Sequence, residues 1–548
     1  MNTNPINDMK QMFPAISRLK TLGLSVMMMS LMSVAVQAAP PLRGLQPMKV
    51  GNRTIVAPTN FPQVFPEGGY CAAPAVVGEG TYLQHVGTPR VLTILAAYQD
   101  IDFTVSSPVQ AFNQYLNGTT QEDLGNMNTL NVSSVRQYFE TSSNGQFSPQ
   151  FDILGPLTLP HELAYYGGTN ETGSDDKFSE LCRDAMELAR DKVDDWTIYD
   201  NDKDGRIELV CIIFAGFGQN QGGDNNTIWA KASSLNMMFT EDLRISRFNC
   251  CSELFHPRYP TYINGTGVFI HEFSHCLGLP DLYATKSTGY VNNQGMESYS
   301  IMDYGLYSLN GYAPCPYTAW EQEVMGWTVL EELGGKFAEG SYQVSNVLPL
   351  IEGGKAYKVS NPNNDRDYIV MENVQKRGLN AHANGHGLLV YHVDYPRTNV
   401  NMGDSPNNNP GHPAVAVVPA GGLFINSYLR GTNKPYTKQD WQESMASSPF
   451  PGLNNVTTLT NPMQLPNYCF YNGLDPLSTD FQLTNIAEEQ ETGIISFLIS
   501  KEGTSAIHDV ARSQTDLTTP YYDLQGRQLS KPQKPGLYIT RGKKILVK

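Results

Sequence analysis

Eleven residues hold the types and spacing that metal-assisted hydrolysis needs: His271-Glu272-Phe273-Ser274-His275-Cys276-Leu277-Gly278-Leu279-Pro280-Asp281. On a helix, His271 and His275 lie one turn apart on one face, so both imidazoles reach a single ion. Glu272 is next along and can lean over the ion, holding a water rather than ligating. Gly278 can adopt the left-handed conformation and stop the helix. Pro280 keeps the chain extended and brings Asp281 back as a third ligand. Three protein ligands plus a water form the open tetrahedral arrangement of a catalytic zinc. A surface helix can present His-Glu pairs by chance. Here only 10 of 548 residues are His, and apolar Val268, Phe269 and Ile270 lead the helix through a core, where unpaired imidazoles would be costly.

A second cluster suits a harder cation. Asp200-Asn201-Asp202-Lys203-Asp204-Gly205-Arg206-Ile207-Glu208 places oxygen donors at alternate positions with Gly at the sharp turn, as in the first half of a calcium loop. Three carboxylates within five residues repel unless a cation sits among them. The twelfth position of an EF-hand would be Cys211, which cannot supply a bidentate carboxylate, so this is not a full EF-hand. The alternative is a solvated acidic turn.

The elements that must carry these groups follow from periodicity. Val91–Tyr98 and Leu209–Phe214 are apolar runs of the central-strand kind. Ser134–Phe139 opens a helix that Asn144-Gly145 ends, and residues 175–197 carry a helical apolar stripe. Trp320 to Trp327 predicts a helix beneath the metal site. After Val329 short alternating segments recur between turn residues: Ser341–Val344, Ala356–Val359, Tyr368–Met371, Leu388–Val393, Ala414–Val418 and Gly493–Ile499. That is the pattern of an antiparallel β-sandwich. Within it His392 and Asp394 point to the same side of a strand, and a hydrogen-bonded pair is favoured over a further metal site.

The fold expected is α+β. A zincin-like catalytic domain, with a mixed twisted sheet and an active-site helix, covers 91–330, and an all-β sandwich covers 331–500. Residues 1–38 read as a secretory signal: Lys10, Arg18 and Lys20 precede an apolar run, and Val36-Gln37-Ala38 suits signal peptidase. No later stretch is long and apolar enough to span a bilayer. Residues 39–90 read as a pro-segment or N-terminal wrap. In it the Cys71 thiolate can either occupy the open metal position or stay an inert or bridged thiol. Pairs among Cys71, Cys182, Cys211, Cys315 and Cys469 can bridge after export, whereas adjacent Cys250 and Cys251 cannot readily bridge each other. The formal net charge of −15 argues against nucleic acid and anionic membrane as partners. The metal motif, whose usual chemistry is peptide hydrolysis, makes protein or peptide substrates the expected partners.

The segments His271–Tyr283, Ser300–Gly305 and Ala319–Trp327 together resemble the M6 metallopeptidases related to immune inhibitor A, within the metzincin clan. The clan usually holds His as third ligand; this family has Asp, as here. The resemblance implies a Met-turn at Met302 beneath the metal and a switch tyrosine at Tyr304 that donates to the oxyanion. It also implies that Glu208 closes the calcium site begun by Asp200, Asp202, Asp204 and Arg206. Residues 501–548 resemble a shortened C-terminal sorting segment of the Bacteroidota type, against a plain terminal hairpin. The expected function is a secreted or cell-surface zinc endopeptidase, with Glu272 as general base, and Zn2+ and Ca2+ as its ions. The rivals are a zinc hydrolase with a non-peptide substrate and a secreted adhesin with a vestigial site.

Overall fold

The computed structural model describes residues 36–45, 76–77, 82–118, 130–168, 175, 177–286, 295–397, 399–409, 411–427 and 434–503, and the backbone of four short strands between 521 and 547. Cys71, most of the expected pro-segment and residues 1–35 of the expected signal lie outside the described residues.

The first half is built on a seven-stranded mixed sheet. Its strands are β1 (Val36–Ala38), β3 (Arg90–Ala97), β4 (Gln150–Thr158), β5 (Arg206–Phe217), β6 (Lys231–Met238), β7 (Arg244–His256) and β8 (Tyr259–Ile263). The order is β1-β6-β7-β5-β3-β4, with β8 also on β7; the separate β2 (Val76–Val77) pairs elsewhere. β3, β4, β5 and β7 are parallel, while β6 runs antiparallel to β7 and β1 antiparallel to β6. Helices cover both faces, so the central strands are apolar on each side, as parallel strands require. β5 is buried through ten consecutive residues. Its Leu209, Cys211 and Ile213 face one core, while Val210, Ile212 and Phe214 face another.

On the first face lie α1 (Pro108–Asn117), α2 (Val135–Ser142) and the metal-motif helix α5 (Thr266–Cys276); the short α3 (Leu163–Gly167) and α4 (Phe178–Ala189) pack on the second. α2 begins as the sequence predicts, with Ser134 and Gln137 exchanging a capping box, and ends at Asn144 and Gly145, both at positive φ. α6 (Ala319–Val324) likewise starts with a capping box from Thr318 and Glu321.

The second half has two main sheets. One joins β9 (Glu331–Glu332), β11 (Tyr357–Asn361), β12 (Asn364–Val374), β13 (Gly387–Asp394) and β15 (Val415–Val417) in the order β15-β13-β12-β11-β9. The other is β10 (Tyr342–Val347), β19 (Ile495–Lys501) and β18 (Phe481–Glu488), paired in that order. β14 (Asn399–Val400) pairs β2, and β16 (Phe470–Asn472) pairs β17 (Asp475–Leu477). The predicted strands are all found, but the stretch also holds a helix, α7 (Lys438–Ala446), capped by Thr437 and Asp440. The five-stranded sheet is apolar on both faces: Ile369, Met371, Leu388 and Val390 meet the three-stranded sheet's core, while Val370, Leu389, Tyr391 and Val393 join the core that holds α5.

Two expectations are corrected. The described cysteines, Cys182, Cys211, Cys250, Cys251, Cys276, Cys315 and Cys469, are all free; Cys182 and Cys211, for example, face different cores, and Cys71 lies outside the described residues. His392 pairs with Asp367 at 2.7 Å and Asp394 with His412 at 2.8 Å, so the two do not bond each other. Facing strands β12 and β13 supply the nearer carboxylate for His392.

Candidate metal centre

α5 is buried along its whole length, which fixes its rotation and hence the direction of His271 and His275. It lies so close to the turn at 304–311 that a Cβ on Gly267 would stand 2.0 Å from the Leu306 carbonyl oxygen. Gly278 ends the helix with φ +109, as its place in the motif predicts. Asp281 returns with Oδ1 at 3.3 Å from His271 Nε2 and 3.2 Å from His275 Nε2.

The outer nitrogens fix the tautomers. His271 Nδ1 lies 2.8 Å from the Ile301 carbonyl and His275 Nδ1 2.7 Å from the Leu279 carbonyl. A carbonyl can only accept, so each Nδ1 carries the proton and each Nε2 turns a lone pair inward. Among the described residues, His271 Nε2, His275 Nε2, both Asp281 oxygens and Glu272 Oε2 are buried without a hydrogen-bond partner. Buried polar atoms without partners are costly, and a shared cation is what would satisfy them. The donor atoms of His271, His275 and Asp281 lie within 4.8 Å of one another, and two imidazoles with one carboxylate suit zinc. Burial lowers the His271 pKa. Burial raises Asp281, but the adjacent imidazoles outweigh it and hold the carboxyl below its ordinary range. Glu272 is pushed well up, first by burial and then by the Asp281 charge.

Met302 is buried, and its carbonyl accepts from Leu282 N–H at 2.8 Å, tying the turn that carries Asp281 to the segment around Met302. Ser300 donates to Glu321 of α6 at 2.5 Å, so that helix braces the same segment.

The chain's own residues 36–43 run through the cleft. β1 pairs antiparallel to β6, with Ala38 opposite Lys231. Ala39 N–H donates to Glu272 Oε1 at 2.8 Å, and the Ala39 carbonyl accepts from Trp229 Nε1 at 2.7 Å. Tyr307 donates to the Pro40 carbonyl at 2.6 Å. Tyr283 donates to the Ala38 carbonyl. Tyr304 accepts the Arg43 N–H at 2.8 Å and donates to the Arg43 carbonyl at 2.6 Å. Motif reading did not single out Trp229, Tyr283 or Tyr307; Tyr283 had a signal, being the aromatic two residues beyond the third ligand.

The acidic loop also converges. One donor atom each of Asp200, Asp202 and Glu208 lies within a common 4.8 Å. Asp200 accepts the N–H groups of Asp204 and Gly205 at 3.1 and 3.0 Å, which folds the loop around it. Asp204 stays outside that group, its carboxylate 3.5 Å from the Arg206 guanidinium. Arg206 opens β5.

Residues 110–338 match the family model for the immune inhibitor A peptidase M6 catalytic domain. That segment of the chain is therefore similar to a peptidase M6 catalytic domain. The chain is 29% identical over 222 residues to the pre-pro-metalloprotease PrtV of Vibrio cholerae serotype O1, covering 36% of this chain and 24% of that protein. It is 27% identical over 233 residues to immune inhibitor A of Bacillus thuringiensis subsp. alesti, covering 38% of this chain and 33% of that protein. The matched part therefore spans about a quarter to a third of those relatives' lengths. The M6 match holds α5, Asp281, Met302 and α6. No helix among the described residues is long and apolar enough to cross a membrane.

Proposed function

We propose that this chain is a secreted or cell-surface zinc endopeptidase whose catalytic domain, residues 91–330, cleaves extracellular proteins. His271, His275 and Asp281 hold the ion, and Met302 packs beneath them. Bound zinc would acidify a water and polarise the scissile carbonyl. Glu272 removes a proton from the attacking water as its oxygen bonds to the carbonyl carbon. As the C–N bond breaks, Glu272 returns that proton to the departing amine. An extended substrate pairs antiparallel to β6, along the course that residues 36–43 follow. Tyr304 stands on the same groove and engages backbone there.

The observation that carries this proposal is that buried, unpartnered donor atoms of His271, His275 and Asp281 lie within 4.8 Å of one another, with the unpartnered Glu272 Oε2 on the same helix as the two histidines. Asp200, Asp202 and Glu208, with Asp204 and Arg206 completing the loop, hold a structural Ca2+ at the start of β5. Residues 501–548 serve as a sorting segment; their strands Tyr521–Tyr522, Gln528–Leu529, Gly536–Thr540 and Lys543–Val547 form one small sheet. The test is metal analysis with casein digestion. Wild-type protein should bind one zinc at the motif and release peptides, and Glu272→Gln should keep the zinc and release none. Zinc bound in wild type without peptide release overturns the proposal.

A further inference from the structure

The Ala38–Ala39 peptide lies across the metal centre and stands in for the backbone of a substrate. In amide hydrolysis the base that takes the water's proton must hand it to the departing nitrogen. The nitrogen on Glu272 Oε1, at 2.8 Å, belongs to Ala39. The carbonyl of that same peptide, Ala38's, therefore marks the place of the carbonyl under attack. It accepts a hydrogen bond from Tyr283. Tyr304 reaches Arg43 instead, whose N–H and carbonyl it engages at 2.8 and 2.6 Å.

We infer that Tyr283 is a catalytic residue of this site: its hydroxyl donates to the substrate carbonyl oxygen as negative charge gathers there, while Tyr304 fixes substrate backbone further along the groove. Such a donor works only if it is held in place beforehand. Tyr283 is held. It follows Asp281 by two residues, and the Leu282 N–H donates to the Met302 carbonyl at 2.8 Å. The Leu282 carbonyl accepts from Asn407 Nδ2 at 2.6 Å. Its ring is half-buried, and its hydroxyl meets the carbonyl edge of the peptide while Glu272 meets the N–H edge. Trp229, holding the next carbonyl at 2.7 Å, keeps that plane from turning.

The inference rests on the peptidase proposal, and its test separates the two. The secreted forms of wild type, Tyr283→Phe and Tyr304→Phe are compared on a quenched-fluorescent peptide, with zinc content measured for each. Losing one such donor costs about 10²–10³-fold in kcat, so Tyr283→Phe should show that loss with its KM within about twofold and its zinc retained. Affinity for a phosphinic peptide, which carries a tetrahedral anion in place of the carbonyl, should weaken by a similar factor, while affinity for the matching amide peptide in a Glu272→Gln background stays put. Tyr283→His, which keeps a donor, should recover part of kcat. A Tyr283→Phe enzyme within about threefold of wild type in kcat overturns the inference, as does phosphinate affinity lost only in Tyr304→Phe. A wild type that cleaves nothing overturns the peptidase proposal instead.

Discussion

Glu208 offers the sharpest quantitative test of the acidic loop. Its carboxyl is driven up to about 7, chiefly by burial; the Asn201 amide and backbone N–H groups oppose the rise and the Asp202 charge adds to it. The ordinary value is 4.5. Between those two values the folded chain holds a proton that the unfolded chain has released, so stability is full below about 4.5 and falls as pH rises toward 7. A span of about 2.5 pKa units at about 1.4 kcal/mol each puts the loss at roughly 3 kcal/mol. Glu208→Gln carries no titrating group and should lack that slope. The assay is urea or thermal unfolding of both proteins in a Glu272→Gln background, which prevents self-digestion, with EGTA, at about pH 5 and about pH 8. The parent should lose roughly 3 kcal/mol more than Glu208→Gln over that interval. Calcium at about a hundred times its Kd should then restore about 2.7 kcal/mol to the parent at the higher pH, and little to the variant. Equal slopes in EGTA would refute the assigned burial, and calcium stabilising both proteins alike would refute the site.

Glu272→Gln should lower kcat by at least about 10²–10⁴-fold while zinc content, read by metal analysis, stays at the wild-type level. Lys231 Nζ lies 2.6 Å from Asp175 Oδ2 with both side chains buried, so Lys231→Met should cost about 3–5 kcal/mol in urea unfolding. The double change Lys231→Met with Asp175→Leu should recover most of that, because no uncompensated charge remains. In Gly278→Ala the added Cβ would stand 2.5 Å from Val77 Cγ1 at a φ of +109. That change should destabilise the chain by about 1–3 kcal/mol and weaken zinc binding, measured by competition with a chelator.

The meeting of His271, His275 and Asp281 was legible because all three lie in eleven consecutive residues: helix pitch aligns the two histidines, and the turn at Gly278 returns Asp281 to them. The caps of α2 and the strands of the second half were legible for the same local reason. What fills the groove was not. The contacts of Trp229, Tyr283 and Tyr307 with residues 38–40 cross 190, 245 and 267 residues, and no periodicity encodes a meeting at that range. Tyr304 illustrates the limit of resemblance: the motif places it near the metal, but its hydroxyl partner depends on where the distant segment around Arg43 lies. His392 lost its expected partner because strand pairing brought Asp367 nearer than its own neighbour two residues on. Helix α7 went unread since its nine residues carry only a thin apolar stripe, Trp441 and Met445.

The double-sided apolar sheet of the second half makes residue 338, where the family match ends, a poor place to cut. Tyr391 and Val393 share one core with Trp320 and Met302, and the Tyr391 hydroxyl accepts the Trp320 N–H at 3.0 Å. Trp441 of α7 packs edge-on against Tyr304, ring centres 5.7 Å apart. A chain trimmed to its matched region would expose the floor of its own cleft to water and lose one wall. Transplanting the proposed activity into another scaffold would mean carrying the downstream sheet along with it, as part of the machine rather than as its attachment.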